Sequence, residues 1–174
     1  VMTIPRPPRC DKLRLESADG VTIVSASSPI LRRSVLTELA EILGALGRRS
    51  RAPAIVLSSD HPTVFFAGAD LREIADLDAR TCVAYARAGR AVVEALESYP
   101  GPTVAAVNGS CSGGGFDCSL ACDVVVAGPR ASFVPPGVQR GLVTAWTGTT
   151  TVPAAIGRSG ARNSLLTAAL LDRQ

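Results

Sequence analysis

An α/β fold with largely parallel strands is what this sequence predicts, on three observations. Residues 54–57, 103–107 and 124–127 are short, almost wholly apolar runs of the kind that form strands buried on both faces. Longer segments between them carry apolar residues at helical spacing. Strand and helix signals alternate along the chain, as right-handed crossover connections require. With 174 residues, 47% hydrophobic and 19% charged, the chain can bury one substantial core, and no linker or low-complexity stretch divides it.

The elements follow in order. Residues 1–11, with Pro5, Arg6, Pro7, Pro8 and Arg9, have no apolar signal segment and read as a disordered lead-in to a core domain at 12–174. Residues 13–17 and 21–26 predict a hairpin around the turn-forming Asp19-Gly20. Val35, Leu39, Ile42, Leu43 and Leu46 give a helix over 34–46 that Gly47 stops. After the strand at 54–57 comes a loop to Gly68 and a short helix at 70–75. A long helix is expected over 79–99, with Val83, Ala91, Val92, Ala95 and Leu96 facing inward and Pro100-Gly101-Pro102 ending it. The strand at 103–107 runs into a glycine-rich turn and a helix to about residue 121. A strand at 124–127 follows, and 149–171 reads as helix in two pieces broken at 157–160.

Bulk properties exclude several functions. The +3 net charge is spread over dispersed arginines, and aromatic residues make up only 4%, so no nucleic-acid track is indicated. No apolar run reaches membrane-spanning length. Cys10, Cys82, Cys111, Cys118 and Cys122 are odd in number, form no CxxC pair and accompany a single histidine, His61. They read as free thiols in a reducing compartment, with Cys118 and Cys122 as buried small apolar residues rather than a metal site, and the expected location is cytoplasmic.

Two segments carry the chemistry. Phe65-Phe66-Ala67-Gly68-Ala69-Asp70-Leu71 and Asn108 to Asp117 each place small residues where the chain leaves a strand and enters a helix. A helix start leaves backbone N–H groups unpaired. Two such starts facing one another offer a pair of donors to one carbonyl oxygen, which is an oxyanion hole. The glycine run of the second segment has other readings. It lacks the Lys-Ser/Thr of a phosphate loop and the spacing of a dinucleotide fingerprint. Gly109-Ser110-Cys111-Ser112-Gly113 has nucleophile-elbow spacing with cysteine as nucleophile, but no histidine follows it. Tight helix–sheet packing alone is the plainest alternative.

The chain is similar to the crotonase (enoyl-CoA hydratase/isomerase) family from about Leu13 onward. Phe66-Ala67-Gly68-Ala69-Asp70-Leu71 matches one family segment. Pro102-Thr103-Val104-Ala105-Ala106-Val107-Asn108-Gly109, Gly113-Gly114-Gly115 and Cys122-Asp123 match another. Pro29-Ile30-Leu31, Glu38-Leu39, Ala131-Ser132-Phe133, Gly141-Leu142 and Ala155-Ile156-Gly157-Arg158 match looser landmarks. The resemblance implies a spiral of ββα units, parallel sheets flanked by helices, and assembly into homotrimers or hexamers. It implies an acyl-CoA thioester as ligand, with no cofactor beyond the substrate's own coenzyme A and no metal, nucleic acid or membrane partner. The hole donors would be the N–H groups of Ala69 and Gly114. Ala67, Gly68, Asp70, Leu71, Arg72 and Gly113 would line the thioester site, with Arg72 equally readable as a solvated residue. The helix at 81–91 would flank the acyl pocket.

Two departures bear on mechanism. The family's first catalytic glutamate falls at Asp117, whose reach is shorter by one methylene, about 1.5 Å; a helix-stabilising role is the alternative for this carboxylate. The second falls at Gly137, and residues 124–171 contain no Asp, Glu or His to replace it. One-carboxylate chemistry of the hydratase/isomerase type, fatty-acid metabolism in broad terms, is therefore expected, or a non-catalytic homologue that binds acyl-CoA or serves as an assembly partner. The family's further C-terminal helical region is also expected to be missing. Val152, Ile156, Leu165, Leu166, Leu170 and Leu171 would then form an uncovered apolar surface.

Overall fold

The structure, a computed structural model, describes residues 12–171. The predicted lead-in and Cys10 lie outside the described residues. Strands β1 (Leu13–Ala18) and β2 (Val21–Ala26) form the predicted antiparallel hairpin. Asp19 and Gly20, at φ 51° and 78°, supply the two left-handed residues that a two-residue hairpin turn demands. The chain then repeats one unit: a long strand, a short strand and a helix. The first unit is β2, β3 (Ile30–Leu31) and α1 (Arg33–Gly47). The second is β4 (Ala54–Ser59), β5 (Gly68–Ala69), the short α2 (Leu71–Ala75) and α3 (Thr81–Glu97). The third is β6 (Thr103–Val107), β7 (Ser110–Ser112) and α4 (Gly114–Leu120). The fourth is β8 (Val124–Ala127), β9 (Ser132–Val134), a 3-10 turn over Pro136–Arg140 and α5 (Gly148–Thr167).

The long strands build one sheet in the order β1-β2-β4-β6-β8, parallel from β2 onward. The short strands pair among themselves, β3 with β5 and β7 with β9, also parallel. This is the predicted α/β class, with the second layer of short strands as its addition. Strands of two or three residues bury too little apolar surface to leave a sequence pattern, so no periodicity marked the four short strands.

Periodicity fixes the core. Val35, Leu36, Leu39, Ile42, Leu43 and Leu46 of α1 are all buried, and α1 packs against α3. Each such side chain contributes about 1.5–3 kcal/mol by leaving water. On α3 the buried stripe is Tyr85, Gly89, Val92, Val93 and Leu96, which corrects the expected inner face. Val83 (49% exposed) and Ala91 point outward, because the stripe repeats at i, i+4, i+7, i+8 and i+11 and neither falls on it. The last helical segment is broken in two at Gly157 (φ 73°, ψ 164°), where the sequence placed the break, and it ends at Thr167 rather than 171. Leu171 instead bridges Phe133, each N–H donating to the other's carbonyl at 2.8–2.9 Å. Of the apolar residues expected on the surface, Val152 is buried and Leu165 and Leu171 are half-buried, while Leu166 and Leu170 are 68% and 60% exposed. No helix among the described residues is long and apolar enough to cross a membrane.

Candidate active site

The two glycine-bearing turns lie side by side, joined by main-chain bonds. Phe65 N donates to Ser110 O at 2.8 Å, Ser110 N to Thr63 O at 2.9 Å and Ser112 N to Phe66 O at 2.8 Å. Ser112 Oγ adds a bond to Ala67 O at 2.8 Å. Absence of side chains permits the closeness. A Cβ on Gly68 would sit 2.8 Å from Ser112 O and 3.0 Å from Gly114 N, and one on Gly115 2.5 Å from Phe66 O. Gly114 is the first residue of α4, so its N–H has no helical carbonyl to bond. Gly113 N is tied to Val134 O at 3.1 Å, which brings β9 and the segment after it to the same place.

A cavity of about 970 Å³ opens here. Ala67, Ala69, Asp70, Leu71, Arg72, Gly113, Gly114, Asp117 and Gly137 all reach its wall, so the structure brings together nearly every residue singled out from the sequence. Gly68 is the exception: it is buried behind the wall and serves the turn contact. Cys82, Tyr85 and Ala86 place the early turns of α3 on the cavity, as expected.

Asp70 is held as a cap. Its Oδ1 accepts from Arg72 N at 2.9 Å, the first bond of α2, and its Oδ2 accepts from Arg32 Nε at 3.0 Å. The Arg72 N–H, aided by Arg32, holds this carboxyl below the usual range. Asp117 is the opposite case. It is 3% exposed, and burial pushes its pKa up to about 6 against the pull of Thr144, whose Oγ1 donates to Oδ2. A side chain on Gly148 would overlap Asp117 Oδ1. Thr144 and Gly148 carry no motif, and sequence reasoning missed both.

Gly137 sits in the 3-10 turn, closed by Leu142 N donating to Gly137 O at 2.9 Å. A Cβ there would lie 2.8 Å from Leu142 O. Burial holds the thiols of Cys111, Cys118 and Cys122 in their neutral form. Cys111 is fully buried with its Sγ 3.7 Å from Ser119 Oγ, and burial pushes it up to about 12, which removes the nucleophile-elbow reading. Cys118 and Cys122 are buried likewise, as expected, and Cys82 is exposed.

Comparison with known proteins agrees with this geometry. The sequence pattern described as enoyl-CoA hydratase/isomerase matches residues 19–174. The mouse mitochondrial methylglutaconyl-CoA hydratase is 32% identical over 144 residues, which is 83% of this chain and 46% of that one. The short-chain-enoyl-CoA hydratase of Clostridium acetobutylicum is 28% identical over 88% of this chain and 60% of its own. Among solved structures, DspI of Pseudomonas aeruginosa superposes with a TM-score of 0.93 at 29% identity, over 98% of this chain and 71% of that one. A Bacillus anthracis enoyl-CoA hydratase superposes at 0.87 with 27% identity, over 92% of this chain and 64% of its own. The chain thus spans about half the length of the mammalian relative.

Proposed function

The chain belongs to the enoyl-CoA hydratase/isomerase family, and from that premise we propose that it binds an acyl-CoA thioester and moves a proton next to its carbonyl. The thioester oxygen would sit between the N–H groups of Ala69 and Gly114. One observation carries this reading: the two turns touch so closely that a Cβ on Gly68 would lie 3.0 Å from Gly114 N, and Asp117 lines the same cavity. Polarising the carbonyl makes the adjacent C–H acidic. Asp117 as carboxylate takes that proton, and the electron pair moves onto oxygen as an enolate facing the two amides. Returning the proton at the far end of a conjugated system shifts a double bond, with no second base required.

That one-carboxylate route is favoured over two-carboxylate hydration because Gly137 offers no side chain and Leu142 O fills the space beside it. The same fact supports a second reading, an acyl-CoA binder without turnover. Calorimetry with crotonyl-CoA beside assays of hydration and double-bond migration separates the two. Turnover lost in Asp117→Asn, with binding kept, supports the first; binding without turnover selects the second. Because the base form is the ionised one, activity should rise with pH through about 6, the value to which burial moves Asp117. A flat profile from pH 5 to 8 would remove Asp117 from the role.

A further inference from the structure

We infer that Trp146 is the wall that sets acyl-chain length, an assignment that rests on the acyl-CoA site proposed above. The indole lines the cavity yet is only 4% exposed. It is wedged between two helices at positions where neither has a side chain. A Cβ on Gly89 of α3 would overlap its Cε2 and Nε1, and a Cβ on Gly114 of α4 would overlap its Cζ3. The two glycines form a slot that the ring fills, and a side chain at either position would have to displace it.

Its position relative to the reacting atoms gives the ring its consequence. Gly114 supplies one proposed carbonyl donor, and Asp117 lies one helical turn further along α4. Trp146 is also two residues from Thr144, which bonds Asp117, and two from Gly148, which crowds it. An acyl chain extended from that carbonyl past Asp117 therefore meets the indole within a few carbons. Chains short enough to stop at the ring fit, and longer ones must displace it. A wall of this kind discriminates by about tenfold or more for a badly placed methylene or two.

The experiment titrates the chain with butyryl-CoA, dodecanoyl-CoA and free coenzyme A, by calorimetry and by indole emission. Trp146 is the only tryptophan, so emission reports on this ring alone. The parent should bind butyryl-CoA at least about tenfold more tightly than dodecanoyl-CoA, and butyryl-CoA but not free coenzyme A should shift the emission. Trp146→Ala should abolish or reverse the preference. Gly89→Ala, which keeps the ring but forces it from its slot, should alter it too and covers the case in which the first variant does not fold. Equal affinity for both esters in the parent, an emission that ignores the acyl group, or an unchanged preference in a folded Trp146→Ala would overturn the wall while leaving the ester site standing. Binding of neither ester would remove the site, and the wall with it.

Discussion

The two sides of the cavity are made of different material. The side formed by residues 65–72 and 108–117 is backbone: amides and carbonyls fixed by the mutual bonds of two turns, with glycines allowing contact. The side formed by residues 135–148 is a 3-10 turn and a loop whose chemistry depends on which side chains it bears. A backbone site persists as long as the fold does, whereas a side-chain site disappears with one substitution. The glycine turns and the bare Gly137 put both kinds of wall in one molecule. On the reading proposed above, the polarising amides belong to the first side, and Asp117 is the one acid/base candidate.

The largest effect should come from forcing the backbone side apart. Gly115→Ala puts a carbon 2.5 Å from both Phe66 O and Phe66 Cβ and 2.9 Å from Phe66 C, atoms that cannot turn aside. Loss of about 3 kcal/mol of stability is expected, the upper range for overpacking a tight contact, together with loss of ester binding. Urea unfolding and calorimetry measure both. A variant that keeps its stability and its ligand would show that the turns are not held in register by this contact.

Next comes Asp117. Its carboxyl, moved by burial from 3.8 to about 6, keeps its proton longer in the folded than in the unfolded chain. Folding stability therefore falls as pH rises from about 4 to above 6, by about 3 kcal/mol in all at 1.36 kcal/mol per unit. Asp117→Asn cannot ionise. Its stability relative to the parent should improve by about that amount between pH 4 and pH 7, while activity falls at least about a hundredfold. Thermal melts across that range decide it. A parent and variant with parallel pH curves would mean that Asp117 is an ordinary helix residue, the alternative its place on α4 had left open.

How much of this was legible beforehand divides along the same line. The turns announce themselves, because close backbone approach demands glycine and small residues in a fixed order: Ala67-Gly68-Ala69 and Gly113-Gly114-Gly115 could be placed before any coordinates. Asp117 was findable by its place after the glycines, but its buried environment was not, since the Thr144 and Gly148 that lie against its carboxylate are about thirty residues away. Trp146 left no signal at all. The slot that holds it is assembled from Gly89 and Gly114, and a glycine in a helix reads locally as a weakness rather than as a socket. The phase of α3 was misjudged for a related reason. Val83 and Ala91 are apolar, but Tyr85 and Gly89 define the buried stripe, and neither looks like a core residue on its own.

The smallest effect expected is the most instructive for the comparison. If the side-chain wall had lost only a functional group, Gly137→Glu should restore it and raise hydration of crotonyl-CoA. The loop has instead closed into the space. The new Cβ would lie 2.8 Å from Leu142 O, and that residue's N–H is committed to Gly137 O at 2.9 Å. A glutamate can enter only by shifting this turn, so the expected gain from its carboxylate is small. Hydration within about twofold of the parent is expected, with about 1–2 kcal/mol of stability lost to the strained turn. A tenfold gain in hydration would show that the loop yields easily. The two sides of the cavity would then differ in present occupancy and not in kind.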